Sequence, residues 1–187
     1  DSCGGVGQLG CGIVPHEDRL AEWGLPTAAA GVRECGLQVV DAAAGTVGIV
    51  KPQVAFFERY GSAGYSALED VLSAARLAGL LVIGDAKRGD IASTGDAYAQ
   101  SAFEILGAQA ITLNAYLGYD SLLPFIKDPA HGVFLLCKTS NSGAGDVQDL
   151  PLAAQAGGGL LYEKVAQLAQ GWNTSGNVGL VVGATHP

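Results

Sequence analysis

Residues 81–94 read Leu-Val-Ile-Gly-Asp-Ala-Lys-Arg-Gly-Asp-Ile-Ala-Ser-Thr. A short apolar run meets four charged side chains, Asp85, Lys87, Arg88 and Asp90, just before a helical pattern begins. A strand buried on both faces reads as a continuous apolar run, and its side chains alternate with period two. That spacing predicts Asp85 and Lys87 on one side of the strand end and Ala86 on the other. Two acids and a lysine are costly to bury there unless they are paired. A solvated turn closed by one salt bridge would meet the same need. Lys51 argues for more than that. It ends another apolar run, Val47–Val50, and precedes Pro52. Two adjacent strands would then deliver Lys51, Asp85 and Lys87 to one place, where mutual attraction keeps lysines protonated and carboxylates ionised.

The same strand-then-helix pattern extends in both directions. Strands are predicted at Gly10–Ile13, Gly48–Val54, Leu80–Gly84, Ala110–Asn114, Gly132–Cys137 and Val178–Gly183. Helical spacing marks Tyr65, Leu68, Val71, Leu72 and Ala75. It recurs at Tyr98, Ala102, Ile105 and Leu106, and again at Leu160, Leu161, Val165 and Leu168. Ala153–Gly159 reads as a flexible loop, and residues 1–9 as a flexible N-terminus. Strict alternation of this kind predicts an α/β fold with a parallel sheet, in one domain. Six strands in 187 residues is about 31 residues per unit, and a TIM (β/α)8 barrel takes roughly 250 residues. The expectation is about six of the eight βα units, with the chain stopping after the sixth strand. In such a barrel, active sites lie at the C-terminal ends of the strands, where Lys51, Asp85 and Lys87 fall.

Composition narrows the function. With 49% hydrophobic and 15% charged residues, the chain is not of a disordered class. A net charge of −8 with only ten lysines and arginines argues against nucleic acid or an anionic membrane as partner. A small anionic molecule needs only two or three local cations. No run approaches the roughly 18 apolar residues of a membrane span. The N-terminus has no signal-peptide pattern, so the expected location is the cytoplasm. Cys3, Cys11, Cys35 and Cys137 show no metal-ligand spacing, and Cys11 and Cys137 read as small core residues. Gly5–Gly10 matches GxGxxG, but it precedes a strand instead of following one, so it is not a dinucleotide loop. His16, His131 and His186 stand in no catalytic or metal context.

The pattern Asp85-x-Lys87-Arg88-x-Asp90-Ile91-x-x-Thr94 resembles the signature of the orotidine 5′-phosphate decarboxylase family. Four flanking segments resemble it in the same order: residues 49–58 (IVKPQVAFFE), 112–118 (TLNAYLG), 136–141 (LCKTSN) and 181–185 (VVGAT). The resemblance covers the chain from about Gly10 onward and is closest to a bacterial branch. It implies a TIM-barrel homodimer that converts orotidine 5′-monophosphate to UMP and CO2 without metal or organic cofactor. By position, it assigns catalysis to Lys51, Asp85, Lys87 and Asp90, with Asp90 reaching into the partner's site. Ile91 and Thr94 would contribute there too, and Ser140 would hydrogen-bond the pyrimidine.

Some positions depart from the family pattern. The first strand normally ends in an aspartate that contacts the ribose, and here it reads Gly12-Ile13-Val14-Pro15. Ala115 and Ser142 stand where proline is common. The glycine-rich phosphate loop and the arginine that follow the family's last strands have no counterpart in these 187 residues. Two other readings follow. One is a related phosphosugar decarboxylase or aldolase, which would share Asp-x-Lys-x-x-Asp and use Mg2+. The other is a non-catalytic nucleotide-binding remnant, motivated by Val14.

Overall fold

The computed structural model describes residues 9–185. Residues Gly5–Gln8, Cys3 and His186 lie outside them, as does all but Leu9 of the expected flexible N-terminus. The chain packs as two compact units. The first runs to Ala86 and takes in Gln100–Ala110, and the second comprises Lys87–Ala99 and Ile111 onward.

In the first unit, strand β1 (Gly10–Ile13) is followed by helices α1 (Glu17–Glu22) and α2 (Ala29–Ala43). Strand β2 (Ile49–Pro52), helices α3 (Ala55–Glu58) and α4 (Gly61–Leu77), and most of β3 (Leu81–Arg88) come next. The three strands lie side by side in chain order. They are parallel, with Gly12 opposite Lys51 and Val50 opposite Val82. Ile13, Val50 and Val82 are fully buried with Val32, Cys35, Phe57, Leu68 and Val71 from the helices. Removal of this apolar surface from water is the main force holding the strand ends in place.

Helix α2 approaches α4 through Gly36, where an added Cβ would lie 2.6 Å from Val71 Cγ2. Val71 is β-branched and stiff in a helix, so it cannot swing clear. Gly36→Ala is expected to cost about 1–3 kcal/mol and to lower Tm by several degrees in a thermal melt. An unchanged Tm would mean the two helices separate more easily than this packing allows.

In the second unit, helix α5 (Ala92–Gln100) follows the end of β3. Strand β4 (Ala110–Leu113), helix α6 (Tyr119–Ile126), β5 (Gly132–Lys138), α7 (Gly145–Gln148), α8 (Leu161–Trp172) and β6 (Val178–Val182) complete it. Strands β4, β5 and β6 again lie in chain order. β5 and β6 are parallel, with an irregularity between Leu136 and Lys138. Leu113, Leu122, Phe125, Val133 and Leu135 form the buried core. No helix among the described residues is long and apolar enough to cross a membrane.

All six predicted strands are present, and β1 has its predicted bounds. Among the described residues, five helices, the four-residue α3 and α7 included, carry no periodicity signal that the sequence reading used. Helix α2 is rich in Ala and Gly, α1 has six residues, and α6 has eight with Pro124 inside. The expected loop at 153–159 contains a 3-10 turn, Ala154–Ala156, and three successive glycines with positive φ. Cys137 is buried as expected, whereas Cys11 is only half-buried and Cys35 is fully buried. Cys11, Cys35 and Cys137 are free thiols, and burial pushes the Cys35 and Cys137 thiols above their ordinary pKa.

Candidate active site

Lys51 and Asp85 meet in the first unit. β2 and β3 stay joined past their regular pairing. Gln53 bridges Asp85, and the Val54 N–H donates to the Asp85 carbonyl at 3.2 Å. With the backbone of Asp85 so fixed, the Lys51 ammonium donates to its carboxylate Oδ2. The Asp85 side chain is only 7% exposed, against 42% for Lys51. The carboxylate has thus exchanged most of its hydration for an ammonium. Lys51 keeps one side toward water.

Lys87, Asp90, Ile91 and Thr94 belong to the second unit. Lys87 does not continue the strand alternation used to read it, because its backbone turns to φ 51°. A left-handed lysine costs on the order of 1–3 kcal/mol and persists only where its surroundings hold it. Here the Lys87 N–H donates to the hydroxyl of Thr112 at 3.0 Å, and Thr112 is 2% exposed. The Asn114 N–H donates to the Arg88 carbonyl at 2.8 Å. A Cβ on Gly89 would sit 3.1 Å from the Asn114 carbonyl oxygen. Residues 87–89 are therefore strapped to the end of β4, with the Lys87 side chain exposed.

Asp90 is half-buried, and its Oδ1 accepts the Ile91 N–H at 2.8 Å. Ile91 and Thr94 are exposed, three residues apart at the start of α5. Ala92 between them has φ 48°. An apolar residue standing 56% exposed beside a turned backbone is suited to contact another molecule. Ser140 follows β5 and is exposed. A separate cavity of about 460 Å3 lies against α8, lined by Tyr116, Leu136, Cys137, Tyr162 and Trp172 among others, with none of the expected site residues in its wall.

A family model described as "Orotidine 5'-phosphate decarboxylase / HUMPS family" matches residues 32–187. The chain belongs to this family. An orotidine 5′-phosphate decarboxylase of Roseiflexus castenholzii is 50% identical over 181 residues, covering 96% of this chain and 64% of the relative. One from Corynebacterium glutamicum is 41% identical over 96% of this chain and 68% of the relative. The chain thus spans less than two thirds of the Roseiflexus protein's length. Among solved structures, Leishmania donovani OMP decarboxylase is similar at TM-score 0.84 and 45% identity, over 95% of this chain and 66% of that one. A Streptomyces avermitilis structure assigned to orotidine 5′-phosphate decarboxylase reaches TM-score 0.91 at 38% identity. It covers all of this chain and 68% of that one. The six βα units are those of a TIM barrel.

Within this orotidine 5′-phosphate decarboxylase / HUMPS chain, sequence reasoning gave Thr112 no role. A signal was present in Ala110-Ile111-Thr112-Leu113, since a hydroxyl in a fully buried strand must find a partner.

Proposed function

We propose that the protein carrying this chain converts orotidine 5′-monophosphate to UMP and CO2, without metal or organic cofactor, as a cytoplasmic homodimer. The observation that carries this reading is the buried Asp85 carboxylate clamped by Lys51 at the ends of neighbouring strands. It stands two residues before a lysine held in a left-handed backbone.

The chemistry needs such groups. When the C6–carboxylate bond breaks, CO2 leaves and the electron pair stays on C6, where the ring offers no conjugated sink. The Lys87 ammonium stabilises that pair electrostatically and then delivers its proton to C6. The neutral amine regains a proton from water. Asp85 lies beside the departing carboxylate, and Lys51 orients Asp85 while contacting the ribose. Asp90, Ile91 and Thr94 complete the partner's site, and Ser140 hydrogen-bonds the pyrimidine. The exposure of Ile91 and Thr94 supports the shared arrangement. Expression of the protein in a host lacking its own orotidine 5′-phosphate decarboxylase is expected to restore growth without uracil. Growth only with uracil would overturn the reading.

Val14 follows β1 and is half-buried. Its side chain accepts no hydrogen bond, so the ribose lacks one partner there. Val14→Asp is expected to lower KM for orotidine 5′-monophosphate about tenfold, the effect of one hydrogen bond to a charged group. An unchanged or higher KM would show that the ribose lies elsewhere.

A further inference from the structure

We infer that Gln148 is a positioning residue that sets Ser140 for the pyrimidine ring, an inference that rests on the proposed decarboxylase reading. The residue before Ser140 is doubly tied. The Thr139 N–H donates to Gln148 Oε1 at 2.8 Å, and Gln148 Nε2 donates to the Thr139 hydroxyl at 2.8 Å. Because a backbone N–H only donates, this pair fixes which way the Gln148 amide faces. The Thr139 hydroxyl, accepting from Gln148, donates onward to Asn141 Oδ1 at 2.6 Å. One relay therefore brackets Ser140 on both sides.

The neighbouring residue repeats the tie. Lys138, with a side chain only 9% exposed, pairs with Asp149 and stands 5.2 Å from the centre of the Tyr162 ring. Gln148 and Asp149 thus grip Thr139 and Lys138 in turn and fold α7 back onto the end of β5. From below, the Gly183 N–H donates to the Lys138 carbonyl at 2.7 Å. A Cβ on Gly183 would lie 3.0 Å from Ser140 Cβ and 3.1 Å from its nitrogen. Ser140 is clamped on three sides, and its own side chain remains exposed. A serine hydroxyl has three staggered positions on a mobile loop. Fixing its backbone leaves those rotamers but removes the wandering of the loop that carries them before substrate arrives, and preorganisation of this kind appears as affinity.

The test is a double-mutant cycle in the protein carrying this chain, using Gln148→Ala, Ser140→Ala and both together. Steady-state kinetics with orotidine 5′-monophosphate are paired with Tm and hydrogen exchange over residues 139–142. Gln148→Ala is expected to lower kcat/KM about tenfold, mainly through KM, with Tm changed by no more than about 2 °C. In the Ser140→Ala background the same change is expected to have less than about a twofold effect, because coupled residues are non-additive. Exchange over 139–142 should quicken about tenfold while α8 is unchanged. A full-sized effect of Gln148→Ala without Ser140, or an effect under about twofold with it, would overturn the inference. If the unaltered protein shows no decarboxylation, the functional reading fails. Hydrogen exchange then decides the clamp, with unchanged exchange over 139–142 refuting it.

Discussion

Lys87→Ala is expected to reduce kcat for orotidine 5′-monophosphate by at least about a thousandfold, the combined scale of a lost proton donor and a lost preorganised charge. Among the described residues, Lys51 and Arg88 are already engaged with other partners: Lys51 with Asp85 across two strands, and Arg88 with Tyr98, its guanidinium carbon 5.6 Å from the ring centre. The fold should survive, because the Lys87 side chain is exposed and the tie to Thr112 uses the backbone N–H. An unchanged Tm with lost turnover is therefore the expected pair of results. Turnover near that of the unaltered protein would remove Lys87 as the proton donor.

Mixing two inactive variants is expected to restore activity. If each site takes Lys87 from one subunit and Asp90 from the other, Lys87→Ala and Asp90→Ala dimers are both inactive. Random exchange of subunits makes half of the dimers mixed, each with one intact site. The recovered rate is then about a quarter of normal, as two-fold symmetry requires. The half-buried Asp90 and the exposed Ile91 and Thr94 at the start of α5 motivate this sharing. Activity no greater than that of the separate variants would place Lys87 and Asp90 in the same subunit's site.

Much of the fold was legible because parallel strands leave a strong local trace. Ala110–Leu113 is buried at every position and reads as an uninterrupted apolar run. Helix α4 shows its buried face at helical spacing through Leu68, Val71, Leu72 and Ala75. Helix α2 has a comparable buried stripe at Val32, Cys35, Val40 and Ala43, but Gly31 and Gly36 serve close packing at the cost of helix propensity and obscure it. The Lys51–Asp85 pair was legible because opposite charges ended neighbouring apolar runs. The left-handed turn at Lys87 was not. Backbone strain depends on a partner 25 residues away, the Thr112 hydroxyl, and period-two reasoning assumes an extended chain. The Gln148 clamp was hidden for the same reason, because a glutamine in a polar loop looks like any solvated side chain until Thr139 is found against it.

The most direct test of the account is the loss of ultraviolet absorbance as orotidine 5′-monophosphate becomes UMP, followed with the protein carrying this chain in the presence of excess EDTA. Turnover that EDTA leaves unchanged is the expected result. No turnover, or turnover that appears only when Mg2+ is added back, would contradict the account.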